Sequence, residues 1–149
     1  MANSVFMDTW LEAQAGQGSL TPVDFDTDSI YGMLVNATGT AESDATKQGH
    51  QFRVDITHEA SGTGYSTGGA ALGSLSLAMA SHVETFTAAT LSWAASTITA
   101  SGLYLYKVVG SSATDVLIGY WDFGGSVASS SGTFQVAWNA SGILAWAHA

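Results

Sequence analysis

STITASGLYLYKVV (96–109) is followed, after GSSAT (110–114), by DVLIGYWDFG (115–124). Both runs are rich in β-branched and aromatic side chains, which suit a pleated, half-buried surface. The Gly/Ser/Thr stretch between them has the chemistry of a hairpin turn. The pair therefore reads as two antiparallel strands, and the rest of the chain extends that reading.

Upstream, SIYGMLVN (29–36) is nearly continuous apolar sequence, the mark of a strand buried on both faces. ALGSLSLAMAS (71–81) alternates, with leucines at 75 and 77, and VETFTA (83–88) follows it as a strand. Downstream come TFQVAWN (133–139) and the closing SGILAWAHA (141–149). NASG (139–142) reads as a second hairpin turn and VASSSG (127–132) as a flexible link. FRVDITH (52–58) reads as a helical turn or a short strand, and TGTAESDATKQGHQ (38–51) as a long polar loop. Most strands are not followed by a helix, which argues against a doubly wound α/β fold. Short strands at regular spacing, with Gly/Ser turns between, predict a mainly β protein. The expected fold is an antiparallel β-sandwich of jelly-roll or immunoglobulin-like type. There is no internal repeat and no linker, so one domain is expected over 1–149, with an N-terminal arm at 1–18 and the sandwich at 19–149.

The arm is expected to be a short helix. In NSVFMDTWLEAQA (3–15), Asn3 or Ser4 can cap its start, and Asp8 and Glu12 suit its early turns. Phe6 and Trp10 are four apart, as are Met7 and Leu11, which gives one apolar face. Gly16 and Gly18 would end it. That face either packs on the domain or, as an arm through Phe6, Trp10 and Leu11, docks on a neighbouring subunit.

Composition excludes several functions. The chain has 149 residues, 12 of them acidic, against Lys47, Arg53 and Lys107, for a formal charge of −9. Nucleic-acid binding works by clustered cations displacing counterions, and three scattered ones cannot do it. Anionic membrane surfaces are disfavoured for the same reason. There is no cysteine, so no disulfide and no thiolate zinc site can form, which fits a reducing cytoplasm. MANSVFMDTW (1–10) lacks the positive start and apolar run of a signal peptide. LGSLSLAMA (72–80) is too short and too polar to span a bilayer. Charged residues make up only 10% of the chain and the mean hydropathy is +0.21, so the surface must be built from Ser, Thr, Ala, Gly and aromatic groups. A surface so poor in charge fits coverage by further copies or by a partner.

The motifs that could carry chemistry are incomplete. EASGTGYSTGGAAL (59–72) is glycine-rich, but a phosphate loop ends in Lys and Ser/Thr, and here Gly69 is followed by Ala70 and Ala71. The dinucleotide spacing also fails, because Gly68 comes one position late after Gly62 and Gly64. These glycines are expected to permit backbone conformations closed to other residues, with Tyr65 anchoring the loop through its ring. Asp24, Asp26 and Asp28 would share one face of an extended segment, but Ser29 and Val35 stand where a calcium loop needs glycine and glutamate. Capping of turns is the expected role of these aspartates. His50, His58, His82 and His148 have no metal-site spacing, and no nucleophile elbow occurs. No catalytic residue, cofactor site or metal site is expected. Trp93, Trp121, Trp138 and Trp146 fall in predicted strands and are read as core, an aromatic sugar platform being the alternative.

The order DFDTDSIYGMLVN, EASGTGYSTGGAAL, LSWAASTITASGLYLYK, DVLIGYWDFGGSVASSSGTFQVAWNASGIL resembles a family of small tailed-bacteriophage structural proteins. The likeness covers nearly the whole chain and lies in the order and spacing of motifs. It implies a virion component without enzyme activity, assembled in the bacterial host cytoplasm. A capsid decoration or cement protein is the expected type. Its partners would be the major capsid protein or other virion proteins, and itself as a homo-oligomer, with a trimer favoured. Tail, neck, baseplate or fibre-attachment roles are the alternatives, followed by a carbohydrate-binding module on the virion surface. The assembly contacts expected are Phe6, Trp10 and Leu11 in the arm and Tyr65 in its glycine loop.

Overall fold

The computed structural model describes residues 3–5, 21–36 and 50–147. The protein is mainly β with antiparallel pairing throughout. Its strands are β1 (Asn3–Val5), β2 (Ile30–Val35), β3 (Gly62–Thr63), β4 (Ala70–Ala71), β5 (Ser76–Ala80), β6 (Val83–Thr87), β7 (Leu91–Lys107), β8 (Val116–Ala128), β9 (Gly132–Val136) and β10 (Leu144–Ala147). A large sheet runs β1-β8-β7-β2-β4, with β3 and β9 also paired to β7, and a three-stranded sheet runs β10-β6-β5.

The 17-residue strand β7 organises the molecule. Its second half lies between β2 and β8, with Met33 opposite Tyr104 on one side and Tyr120 opposite Tyr104 on the other. Its first half pairs instead with β9 and β3. The change of partners falls between Ile98 and Gly102, where the register with β8 shifts. A separate shift lies within the β9-paired stretch, between Trp93 and Ser96, where Ala95 takes a positive φ of 49°. That bulge explains why the strand extends upstream of Ser96, where the sequence reading began it: the irregularity breaks the alternation but not the strand.

Two apolar clusters lie on opposite faces of the large sheet. One joins Leu103, Leu105 and Trp121 to Phe86 and Ile143, so the inward residues of both sheets share it. The other gathers Met33, Val35, Tyr104, Tyr106, Leu117 and Tyr120, with Ile56 packed against it. This double coverage is why SIYGMLVN lacks alternation: five of the six β2 residues are buried.

Several expectations are corrected. Asn3–Val5 is not the start of a helix but a strand on β8, with Asn3 opposite Trp121 and Val5 opposite Gly119. Ladder pairing to an available edge outweighs the capping preference of Asn3 and Ser4. The rest of the expected helix, including Phe6, Trp10 and Leu11, lies outside the described residues, as does nearly all of the polar loop at 38–51. ALGSLSLAMAS is two strands in different sheets, separated at Gly73 and Ser74, the latter at φ 52°. NASG is a turn but not a hairpin, because β9 pairs with β7 and β10 with β6. VASSSG is not a loose link, since Ser129 bonds the Ser96 hydroxyl at 2.8 Å and accepts the Ile98 N–H at 3.2 Å. FRVDITH resolves to a 3-10 turn at Arg53–Asp55, after Phe52 bridges to Val116.

Candidate functional site

The glycine stretch is a loop extruded from an edge strand. Glu59 bridges to Val35, and the Ala60 N–H donates to Leu34 O at 2.8 Å, so the chain first runs along the free edge of β2. It leaves at Ser61, pairs Gly62 with Ile98 of β7, and returns to β2 with Ala70 opposite Gly32. The excursion strands one backbone donor, Leu34 N–H, on the edge of β2. Tyr65 supplies the missing acceptor: its hydroxyl takes the Leu34 N–H at 3.1 Å and donates to Glu59 Oε1 at 3.0 Å. The same Glu59 oxygen accepts the Gly68 N–H, and the Tyr106 hydroxyl donates to Gly68 O at 2.7 Å. Burial, with the Glu59 carboxylate next, pushes the Tyr65 phenol far above its ordinary range, so it stays a neutral donor. Burial likewise raises Tyr106, to about 12.

Gly69 (φ 80°) and Gly62 (φ 154°) make this path possible. A Cβ on Gly69 would run into the backbone of Gly32 and Met33, and one on Gly62 into the Thr97 carbonyl. The loop is thus a built bracket between β2 and the first half of β7. The bonds of Tyr65 are those of an anchor, and its ring packs 5.9 Å from that of Trp93.

Other ionisable groups hold the framework. Asp24, Asp26 and Asp28 occupy a turn, not an extended face: Asp28 accepts the Asp24 N–H at 2.6 Å, and Asp24 accepts the Asp26 N–H at 3.3 Å. Asp28 also pairs with Lys107 at 2.7 Å, and Lys107 donates to Pro22 O at 2.6 Å, which clamps the turn to the end of β7. Asp115 closes the β7–β8 hairpin by accepting Val109 N–H at 2.8 Å and Gly110 N–H at 3.1 Å, with Arg53 Nε at 2.9 Å. Burial pushes the Asp115 pKa up, but those backbone donors and Arg53 together hold it below its ordinary value. Arg53 lies over the Tyr106 ring at 5.2 Å. Among the described residues no group of three or more His, Asp or Glu is placed to hold a metal ion.

Comparison with family models, curated proteins and solved structures finds no match to this chain. What the chain offers to other molecules is therefore read from its own surface, and two features stand out.

The first is the β5–β6 hairpin. Ala80 pairs with Val83, so Ser81 and His82 alone make the turn, both at positive φ (51° and 63°) as a type I′ turn requires. Leu77 and Phe86 face each other on the side that meets the core, and Phe86 is fully buried. Two residues further on, the same face carries Met79 opposite Glu84, and Met79 is 66% exposed. The row is uncovered only at its β5 end: Glu84 is half-buried, and Trp146, opposite Glu84 on β10, packs 5.2 Å from Phe25 of the core. Sequence reasoning found the alternation of LSLAMA but not Met79, because a strand's pattern does not say what lies under it.

The second is a cleft of about 220 Å³ beside the end of β8, lined by Trp121, Phe123, Val136, Trp138, Asn139 and Ile143. β8 makes room for it with a large bulge: Ala100 pairs with Val127 but Gly102 with Asp122. Asp122 holds the bulge by accepting the Gly124 N–H at 2.8 Å. Trp121 and Trp138 meet edge-on at 6.1 Å, and the Trp138 indole N–H donates to Ala89 O at 3.0 Å. Of the four tryptophans placed in strands from sequence, Trp93, Trp121 and Trp146 lie in strands, whereas Trp138 follows β9 and lines this cleft.

Proposed function

We propose that the chain is a structural component of a bacteriophage virion, a capsid decoration or cement protein that binds between capsomers and stabilises the head. The motif order supports the virion. The single observation that carries an assembly role is the β5–β6 hairpin, whose outer strand β5 leaves Met79 exposed on the edge of the small sheet. Its sheet carries only one charge, Glu84, on a chain of net −9. The two sheets act as the layers of a sandwich, a reading supported by the cluster their inward residues share. Weak contacts repeated over many copies would add to firm attachment through effective concentration. A tail, neck or baseplate position uses the same hairpin at a lower copy number.

Quantitative mass spectrometry of purified particles, against the major capsid protein, tests this reading. A copy number comparable to the capsid protein is expected. A far lower number moves the protein to the neck or tail, and absence from the particle overturns the virion role.

The aromatic cleft favours a second reading, a carbohydrate-binding module. Phe123 and Trp138, both half-buried, offer apolar ring surface over a wall that includes the buried Trp121, and Asn139 offers a polar group at the rim, in a volume suited to one sugar ring. Glycan-array binding that is lost in Trp138→Ala would establish it, and a blank array would remove it.

A further inference from the structure

We propose that the outer edge of β5 pairs antiparallel with the same strand of a second copy, about a two-fold axis at Ala78. This rests on the assembly reading above and names the partner of its hairpin.

The backbone sets the geometry. In a two-residue hairpin the pair flanking the turn is hydrogen-bonded, here Ala80 with Val83. Ala80, Ala78 and Ser76 therefore turn their N–H and C=O groups toward β6, while Met79 and Leu77 turn theirs to the outer edge. No described strand pairs with that edge. The strand has no proline, no charge and no bulge, the devices by which edge strands avoid pairing.

The side chains are self-complementary about Ala78. The two-fold sets Leu77 opposite Met79 of the partner, and Met79 opposite Leu77, each pair exchanging both backbone hydrogen bonds. Both side chains lie on the core-side face, so the exposed thioether of each copy covers the half-buried leucine of the other. Ser76 falls opposite Ala80 on the outer face, with no bulky side chain at the seam. Electrostatics point to the same strand. Copies with a charge of −9 repel, and that repulsion is screened only beyond roughly 8 Å, so close approach is least opposed where charge is absent. Leu72 to Ser81 carries none.

The contact is isologous and closes at two copies, not at the three that the resemblance implies. Five residues of edge bury less than a standard interface, so the dimer should be concentration-dependent in solution and firm only where copies are held close together.

The chain has no cysteine, which permits a direct test of register. Ala78 would meet its own copy in a non-hydrogen-bonded pair with Cα atoms about 4.5 Å apart, within disulfide range. Mild oxidation of full-length Ala78→Cys should give a disulfide-linked dimer, and Ala80→Cys, whose counterpart is Ser76, should cross-link far more slowly. Sedimentation equilibrium should show a monomer–dimer equilibrium, with Met79→Lys raising the dissociation constant at least about tenfold. Circular dichroism of each variant checks that it has folded. A protein that stays monomeric at all concentrations and does not cross-link at Ala78→Cys overturns the proposal. So does a trimer, or faster cross-linking at Ala80→Cys. Copy number on the particle is a separate measurement, so a monomer present in capsid-like numbers rejects this contact and leaves the virion role standing.

Discussion

The two halves of β7 share one backbone and live in different environments. From Leu91 to Ala100 buried and exposed residues largely alternate, whereas from Gly102 to Lys107 every residue is buried. The first half has core on one side and solvent on the other. The second has core on both, with Leu103 and Leu105 on one face and Tyr104 and Tyr106 on the other. The difference was already written in LSWAASTITA against GLYLYK. A strand's pattern reports how many of its faces are covered, and a single strand can change its answer partway along.

Substitution can break this contrast most sharply in the second half. Tyr104 is fully buried and its ring meets that of Tyr120 at a tilt, centroids 4.9 Å apart, so Tyr104→Ala should cost about 4 kcal/mol. Thr99→Ala, five residues upstream on the exposed face, should stay within about 0.5 kcal/mol. Urea denaturation of the two variants measures the gap, and similar losses would mean that the halves are not differently loaded.

Asp115→Asn should come next, at about 2 kcal/mol, because it weakens the bonds that close the β7–β8 turn and unbalances Arg53. The folded pKa of Asp115 lies below its unfolded value. Its contribution is therefore complete above about pH 4 and lost as pH falls through the folded value. Thermal melts should show wild type losing its advantage over the variant in that acid window; a constant difference down to low pH would remove the linkage.

Tyr65→Phe should be smaller, at about 1–2 kcal/mol, since the ring still packs on Trp93 and the loss is confined to the hydroxyl, which accepts from Leu34 N–H and donates to Glu59. Amide exchange at Leu34 should speed up in this variant. Unchanged exchange would show that the bracket between β2 and the first half of β7 does not depend on the hydroxyl.

Much of the strand content was legible in sequence because half-buried and fully buried strands leave distinct patterns. Partners were less legible. Nothing local in NASG says that β9 and β10 belong to different sheets, and nothing in SIYGMLVN says that Leu34 would need a tyrosine from 31 residues away. Asn3 and Ser4 carry good capping chemistry, and only the edge of β8 makes them strand. The glycines of EASGTGYSTGGAAL take the positive φ values that backbone permission implies, while the bracket they build depends on the approach of β2 and β7. Ala95 hides its bulge completely, since alanine is not a residue that announces a positive φ.

The length of β7 also has a mechanical meaning. Its backbone is bonded to β2, β3, β8 and β9, so force applied along it loads those ladders in shear, many hydrogen bonds at once, and does not open them one by one. The strand is placed as a tension member, and strain entering at one of its ends is shared directly among four of the other six strands of the large sheet.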